Sequence, residues 1–151
     1  MRTAAAMTRD LVVVPPELDL GAAQEIMQHR HIRHLPVVKR GRLVGILSDR
    51  DLLRYEGVLL DGVGASVGAA MTPAPITCAI TTTVSQVARL MLEHKIDSIP
   101  VTDGAGVLVG LVTSSDLLHL LVESAEIQAL PFHFRLTLQE EDGLAAEAAE
   151  A

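Results

Sequence analysis

Residues 32–51 read Ile32-Arg33-His34-Leu35-Pro36-Val37-Val38-Lys39-Arg40-Gly41-Arg42-Leu43-Val44-Gly45-Ile46-Leu47-Ser48-Asp49-Arg50-Asp51, and this stretch decides the fold. Two short apolar runs, 35–38 and 43–47, are separated by four polar or flexible residues, the pattern of a β-hairpin. The second run ends at Ser48, and a hydroxyl residue followed three positions later by Asp51 marks a helix start. The same order returns as Ile96-Asp97-Ser98-Ile99-Pro100-Val101-Thr102, a turn at 103–106, and Leu108-Val109-Gly110-Leu111-Val112-Thr113 leading to Asp116.

Further out the two stretches keep their correspondence. Met7-Thr8 recurs as Met71-Thr72 and Ile26-Met27 as Leu90-Met91, at the spacing of 64 that separates Ile32 from Ile96. A one-residue insertion then precedes Leu108. Self-similarity at a fixed offset marks a duplicated supersecondary unit. Each copy opens on a β-rich lead-in, 12–14 or 76–78, and enters a helix capped by Asp19 or Thr83, with Gln86 in the capping-box position of the second. Leu20, Ala23, Ile26 and Met27 give the first helix one apolar stripe. The expected fold class is α/β (α+β), with two β-α-β-β-α repeats at 7–60 and 71–122, a linker at 61–70 and a C-terminal extension at 123–151. The end of that extension is acidic and Ala-rich, a composition that suits a frayed helix or a disordered tail.

Composition narrows the function. The chain has 151 residues, 49% of them hydrophobic, enough for one core shared by two halves that are each small for independent folding. Aromatic residues make up only 2%, so stacking surfaces for nucleic acid are nearly absent. The formal charge is -7, but Glu140, Glu141, Asp142, Glu147 and Glu150 crowd the end. The body is close to neutral and has no basic footprint for nucleic acid. Cys78 is the single cysteine, which excludes an intramolecular disulfide and fits a reducing compartment, the cytoplasm by default. Residues 62–88 carry no charge, yet glycines, prolines and hydroxyl residues interrupt them, so no membrane span is expected. Arg2 is not followed by an apolar stretch with a cleavage site.

The segments 32–38 and 45–51, with their counterparts in the second copy, resemble CBS domains, which occur in tandem as Bateman modules. The resemblance covers residues 7–122. It implies two repeats packed sheet against sheet about a pseudo-twofold axis, with clefts between them that bind AMP, ADP, ATP or S-adenosylmethionine. It also implies a regulatory role without catalysis, no required cofactor, a homodimer formed through helices, and an unnamed regulated protein. Phosphate contact falls by resemblance to Ser48 and Thr113, and the ribose hydroxyls to Asp51 and Asp116.

The residues themselves support two readings at those positions. A strand that ends at a hydroxyl residue and turns into a helix aims backbone N–H groups and the positive helix end at whatever lies above, which suits phosphate. A carboxylate one turn in can accept both ribose hydroxyls, and Gly45 or Gly110 would let the strand approach the ligand. The same Ser-x-x-Asp and Thr-x-x-Asp patterns are also plain helix caps. Adenine would rest against Val13, Val14 and Ile32, or Thr77, Cys78 and Ile96, residues that ordinary core packing explains equally well. Arg33 and His34, beside a proline in an apolar strand, have either solvent or a ligand to face. The second copy holds Asp97 and Ser98 there, and Ser115 where the first has Arg50. Phosphate is therefore expected at the cleft built on Ser48 and Asp51. His29, His31 and His34 have no cysteine or carboxylate to complete a metal set, so no metal site is expected. Gly62, Gly64 and Gly68 miss the dinucleotide spacing by one and read as linker. With no nucleophile–base pair, an enzyme is not expected.

Overall fold

The computed structural model describes residues 1–55 and 64–124. The elements are α1 (Thr3–Ala6), α2 (Leu20–Arg30), β1 (His34–Lys39), β2 (Arg42–Ser48), α3 (Asp49–Arg54), α4 (Val67–Ala70), β3 (Thr72–Pro73), α5 (Val84–His94), β4 (Ser98–Thr102), β5 (Leu108–Thr113) and α6 (Ser114–Glu123). Expectations for the stretches 56–63 and 125–151, including Gly62 and the acidic end, lie outside the described residues.

Both hairpins form. β1 runs antiparallel to β2 with Lys39 opposite Arg42, and Arg40 and Gly41 between them have φ of 51° and 76°. Two consecutive positive φ values give the tight turn whose twist matches that of the strands. The β4–β5 turn is wider and is held by the Asp103 carboxylate, which accepts from the N–H groups of Ala105 and Val107 at 2.9 Å each. The helix caps also form, with Asp19 accepting from the Ala22 N–H and Thr83 and Gln86 bonding reciprocally.

The lead-ins differ from expectation. Residues 12–14 and 76–78 are not strands, and only Val14 and Cys78 pair, each by a single parallel bridge to Val37 and Val101. Pro15 and Pro16 after Val14, and Pro75 before Ile76, lack the N–H that a longer ladder requires.

The two cores are built by exchange. One gathers Val14, Leu20, Leu35, Val37 and Leu47 with Val67 and Ala70, which come from α4 just before the second copy. The other gathers Cys78, Val87, Met91, Ile99, Val101 and Val112 with Met7, from the very start of the chain. The backbone follows the same rule. Thr72 and Pro73 add a third strand to β2, while Thr8 pairs with Leu111 on β5. The Val67 and Gly68 N–H groups donate to Leu18 and Pro16, and Thr3 donates through both its N–H and its hydroxyl to the Thr82 carbonyl. Each half therefore finishes its sheet and core with a piece that lies next to the other half in sequence.

This exchange explains the paired Met-Thr and the paired glycines, and it corrects the role expected for the glycines. A Cβ on Gly45 would collide with the Met71 sulfur, and one on Gly110 with the Met7 sulfur. The missing side chain makes room for the exchanged methionine instead of a ligand. Gly110→Ala is expected to destabilise by about 1–3 kcal/mol, the usual range for overpacking. Adding Met7→Ala should recover part of that loss in denaturant titration. A strictly additive double mutant would show that the crowding lies elsewhere.

Candidate functional site

Two clefts lie where a hairpin-to-helix turn of one copy meets the lead-in of the other. The first, about 290 Å³, takes Ser48, Arg50, Asp51 and Arg54 from the first copy and faces them with Ile76, Lys95, Ile96, Asp97 and Ser98 of the second. The other, about 280 Å³, takes Thr113 and Ser115 from the second copy and faces them with Asp10, Val12, Ile32, Arg33 and His34 of the first. Both volumes lie near the lower end of small-ligand pockets, about 300–1,000 Å³. Exchange thus governs these two clefts as well as the cores, since each takes its walls from both copies.

At each helix start the cap is complete. The Ser48 hydroxyl accepts from the Asp51 N–H, while the Ser48 N–H donates to Asp51 Oδ2 at 2.9 Å and the hydroxyl donates to the same oxygen at 3.0 Å. Thr113 and Asp116 repeat this with N–H to Oδ2 at 2.7 Å. Capping therefore occupies one carboxylate oxygen in each copy. In the first copy the other oxygen, Asp51 Oδ1, lies 3.7 Å from the Arg54 guanidinium.

The expected site residues separate. Ser48, Asp51, Arg50 and Ser98 line the larger cleft, and Arg33 lines the other with Thr113. Asp116 stands behind Thr113 through the cap. Val14 and Thr77 line neither cleft. The Val14 side chain is buried in the first core, and its N–H and carbonyl are taken by Pro36 and Val38. Val12 and Ile76 hold the lead-in walls instead. Cys78 is buried, and burial raises its thiol above the ordinary value against the smaller opposing effect of the Thr3 hydroxyl. A raised thiol is a poor nucleophile.

His34 lines both clefts. Its side chain is only 7% exposed, and Nε2 lies 2.8 Å from Asp97 Oδ1, across the boundary between the copies. Burial pushes the Asp97 carboxyl up, but the charge and hydrogen bond of His34, with the Arg50 charge nearby, outweigh it and hold the group below the usual carboxylate range. An ionised carboxylate only accepts, so Nε2–H is the donor. A carboxyl lowered in the folded state contributes stability above its unfolded value and loses it as pH falls through the folded value. Acid titration of Asp97→Asn is therefore expected to show a shallower loss of thermal stability below the ordinary carboxylate range than the parent chain shows. Sequence reasoning placed Arg33 and His34 together at the Ser48 cleft, whereas both line the Thr113 cleft and only His34 also reaches the Ser48 cleft. That placement depends on how the copies pack, which the local pattern does not encode.

Residues of matching type at equivalent places, brought face to face at two helix starts, define a tandem α/β repeat with paired interfacial clefts. The CBS-domain family model matches residues 4–57 and 66–123, and the chain belongs to the CBS-domain family. It is 33% identical over 110 residues to the inosine-5'-monophosphate dehydrogenase of Thermoplasma acidophilum, covering 73% of this chain and 21% of that enzyme. The chain thus spans about a fifth of that relative's length. Among solved structures, CBSX2 in complex with AMP superposes with a TM-score of 0.73 at 31% identity, over 81% of this chain and 96% of that one. The CBS-domain pair of protein MJ0100, in complex with 5'-methylthioadenosine and S-adenosyl-L-methionine, gives 0.74 at 27% identity, over 82% and 97%. No helix among the described residues is long and apolar enough to cross a membrane.

Proposed function

We propose that this chain is a regulatory module that senses an adenosine-type ligand, AMP, ADP or ATP, in the clefts between its two CBS repeats and performs no catalysis of its own. The observation that carries the reading is the meeting, at Ser48 and again at Thr113, of a capped helix start with an apolar wall donated by the other repeat. The apolar wall suits a purine, the helix start suits a phosphate, and Asp51 or Asp116 suits a ribose. Complexes of two similar CBS pairs with AMP and with S-adenosyl-L-methionine support the ligand class. Asp10, a carboxylate where the Ser48 cleft has Ala74, favours a ligand with a cationic tail, such as S-adenosylmethionine, as the second reading for the Thr113 cleft.

AMP at about a hundredfold over its dissociation constant should add roughly 2.7 kcal/mol, which for this size raises the thermal midpoint by about 5–10 °C. Guanosine nucleotides should do less. No shift with any adenosine ligand at millimolar concentration would leave a purely structural pair with empty clefts.

Pairing of two copies through helices belongs to the same proposal. Leu118, Leu121 and Val122 on α6, Leu92 on α5 and Leu53 on α3 are each more than half exposed, and apolar side chains left outside in number are the usual material of an interface. Leu118→Asp with Leu121→Asp is expected to halve the mass measured by light scattering while leaving the thermal transition in place. A parent chain that already has monomer mass at micromolar concentration removes the dimer. The free, buried Cys78 suits a reducing compartment such as the cytoplasm.

A further inference from the structure

We infer that His34 is a proton-carrying coupler shared by the two clefts: a phosphate bound on either side draws a proton onto this one ring, so the occupancy of each cleft depends on the other. The inference rests on the ligand reading above and adds to it a residue, a proton and a direction.

One imidazole lines both cavities. Its Nε2–H is committed to Asp97 Oδ1 at 2.8 Å, in the wall of the Ser48 cleft. In the neutral ring the second nitrogen, Nδ1, is then a bare acceptor, and it repels the oxygens of a phosphate. Only the imidazolium donates at both nitrogens. Histidine is the side chain whose charge ordinarily changes between about pH 5 and 8.

The surrounding charges decide which state a ligand selects. On the Ser48 side Arg50, Arg54 and Lys95 face Asp51 and Asp97. On the Thr113 side Arg33 and His31 face Asp10, and the side chains at the helix start are the uncharged hydroxyls of Thr113 and Ser115. A bound phosphate offsets those cations and adds a strong acceptor, and both changes favour the proton. Once the ring is charged for one ligand, the second finds a cation already in place. By linkage, the effect of the first on the second equals that of the second on the first.

The test is calorimetry of AMP binding to the full chain and to His34→Gln, at pH 7.5, in buffers of different ionisation enthalpy. The parent is expected to take up more protons than His34→Gln, with the excess confined to the first equivalent bound, and adenosine should show no difference between the two proteins. Between pH 8 and pH 6 the parent should gain about tenfold more AMP affinity than the variant, the equivalent of one charge-assisted hydrogen bond. Asp97→Asn keeps the ring but removes the charge that favours its protonation, so its pH dependence should move to lower pH. This variant keeps the test open should His34→Gln fail to fold. AMP binding with the same proton count in parent and His34→Gln, or a pH dependence unmoved in Asp97→Asn, overturns the coupling and leaves the ligand reading intact. Absence of AMP binding to the parent overturns both.

Discussion

Expressed apart, residues 1–61 and 62–151 are each expected to lack a cooperative thermal transition, and an equimolar mixture of the two is expected to regain one. The first fragment loses Val67, Ala70 and Met71, together with the third strand of its sheet. It also loses the Ala65 carbonyl that accepts the Leu20 N–H at the start of α2. The second fragment loses Met7 from its core, the Thr8 pairing on β5 and the Thr3 contacts that close the turn before α5. Uncovering several buried side chains at roughly 1.5–3 kcal/mol each removes most of the 5–15 kcal/mol that holds a domain of this kind together. Circular dichroism on each fragment and on the mixture decides the matter. A cooperative transition from residues 1–61 alone, as a monomer, would show that the exchanged pieces are dispensable.

Asp51→Asn is expected to weaken AMP binding at the Ser48 cleft by roughly 10–100-fold, the value of a charge-assisted hydrogen bond lost from a ribose hydroxyl. Asparagine keeps an oxygen that can accept from the Ser48 N–H, so the helix start survives and the effect is one of charge. Asp116→Asn should leave this cleft largely untouched. Arg50, Arg54 and Lys95 gather around Ser48, whereas Arg33 and Asp10 balance on the other side, so the tighter phosphate should sit with Asp51 and weaken as salt rises. Calorimetry on the two single variants compares them directly. A larger loss from Asp116→Asn would place the tighter site at Thr113.

Much of this architecture was legible in the residues, because it is local. The hairpins announce themselves through apolar runs around Arg40-Gly41 and Asp103-Gly104, and the helices through Asp19, Ser48, Thr83 and Thr113, each of which satisfies a helix N–H three residues away. Partnership between distant pieces was not legible. Nothing in Met7-Thr8 says that it belongs to β5, and nothing in Val67 says that it completes the first core, since apolar residues carry no address. For the same reason Val14 read as a candidate contact although its side chain and both backbone groups are spent inside the fold. His34 and Asp97 are 63 positions apart, and only the packing of the copies makes them neighbours.

The crossing of Met7 and Met71 also sets a timetable. Residues 2–8 leave the ribosome ahead of both repeats, but their partners at Ile80, Thr82 and Leu111 are made roughly 75–100 residues later. At about 5–20 residues per second the start of the chain waits some 5–20 s with its apolar side chains uncovered. The first repeat can close as soon as residue 73 is out, while the second must reach back for a segment synthesised before it existed. Folding of the second repeat is therefore completed only after translation has passed β5, and in that interval a second nascent chain nearby can supply the same segment in place of its own.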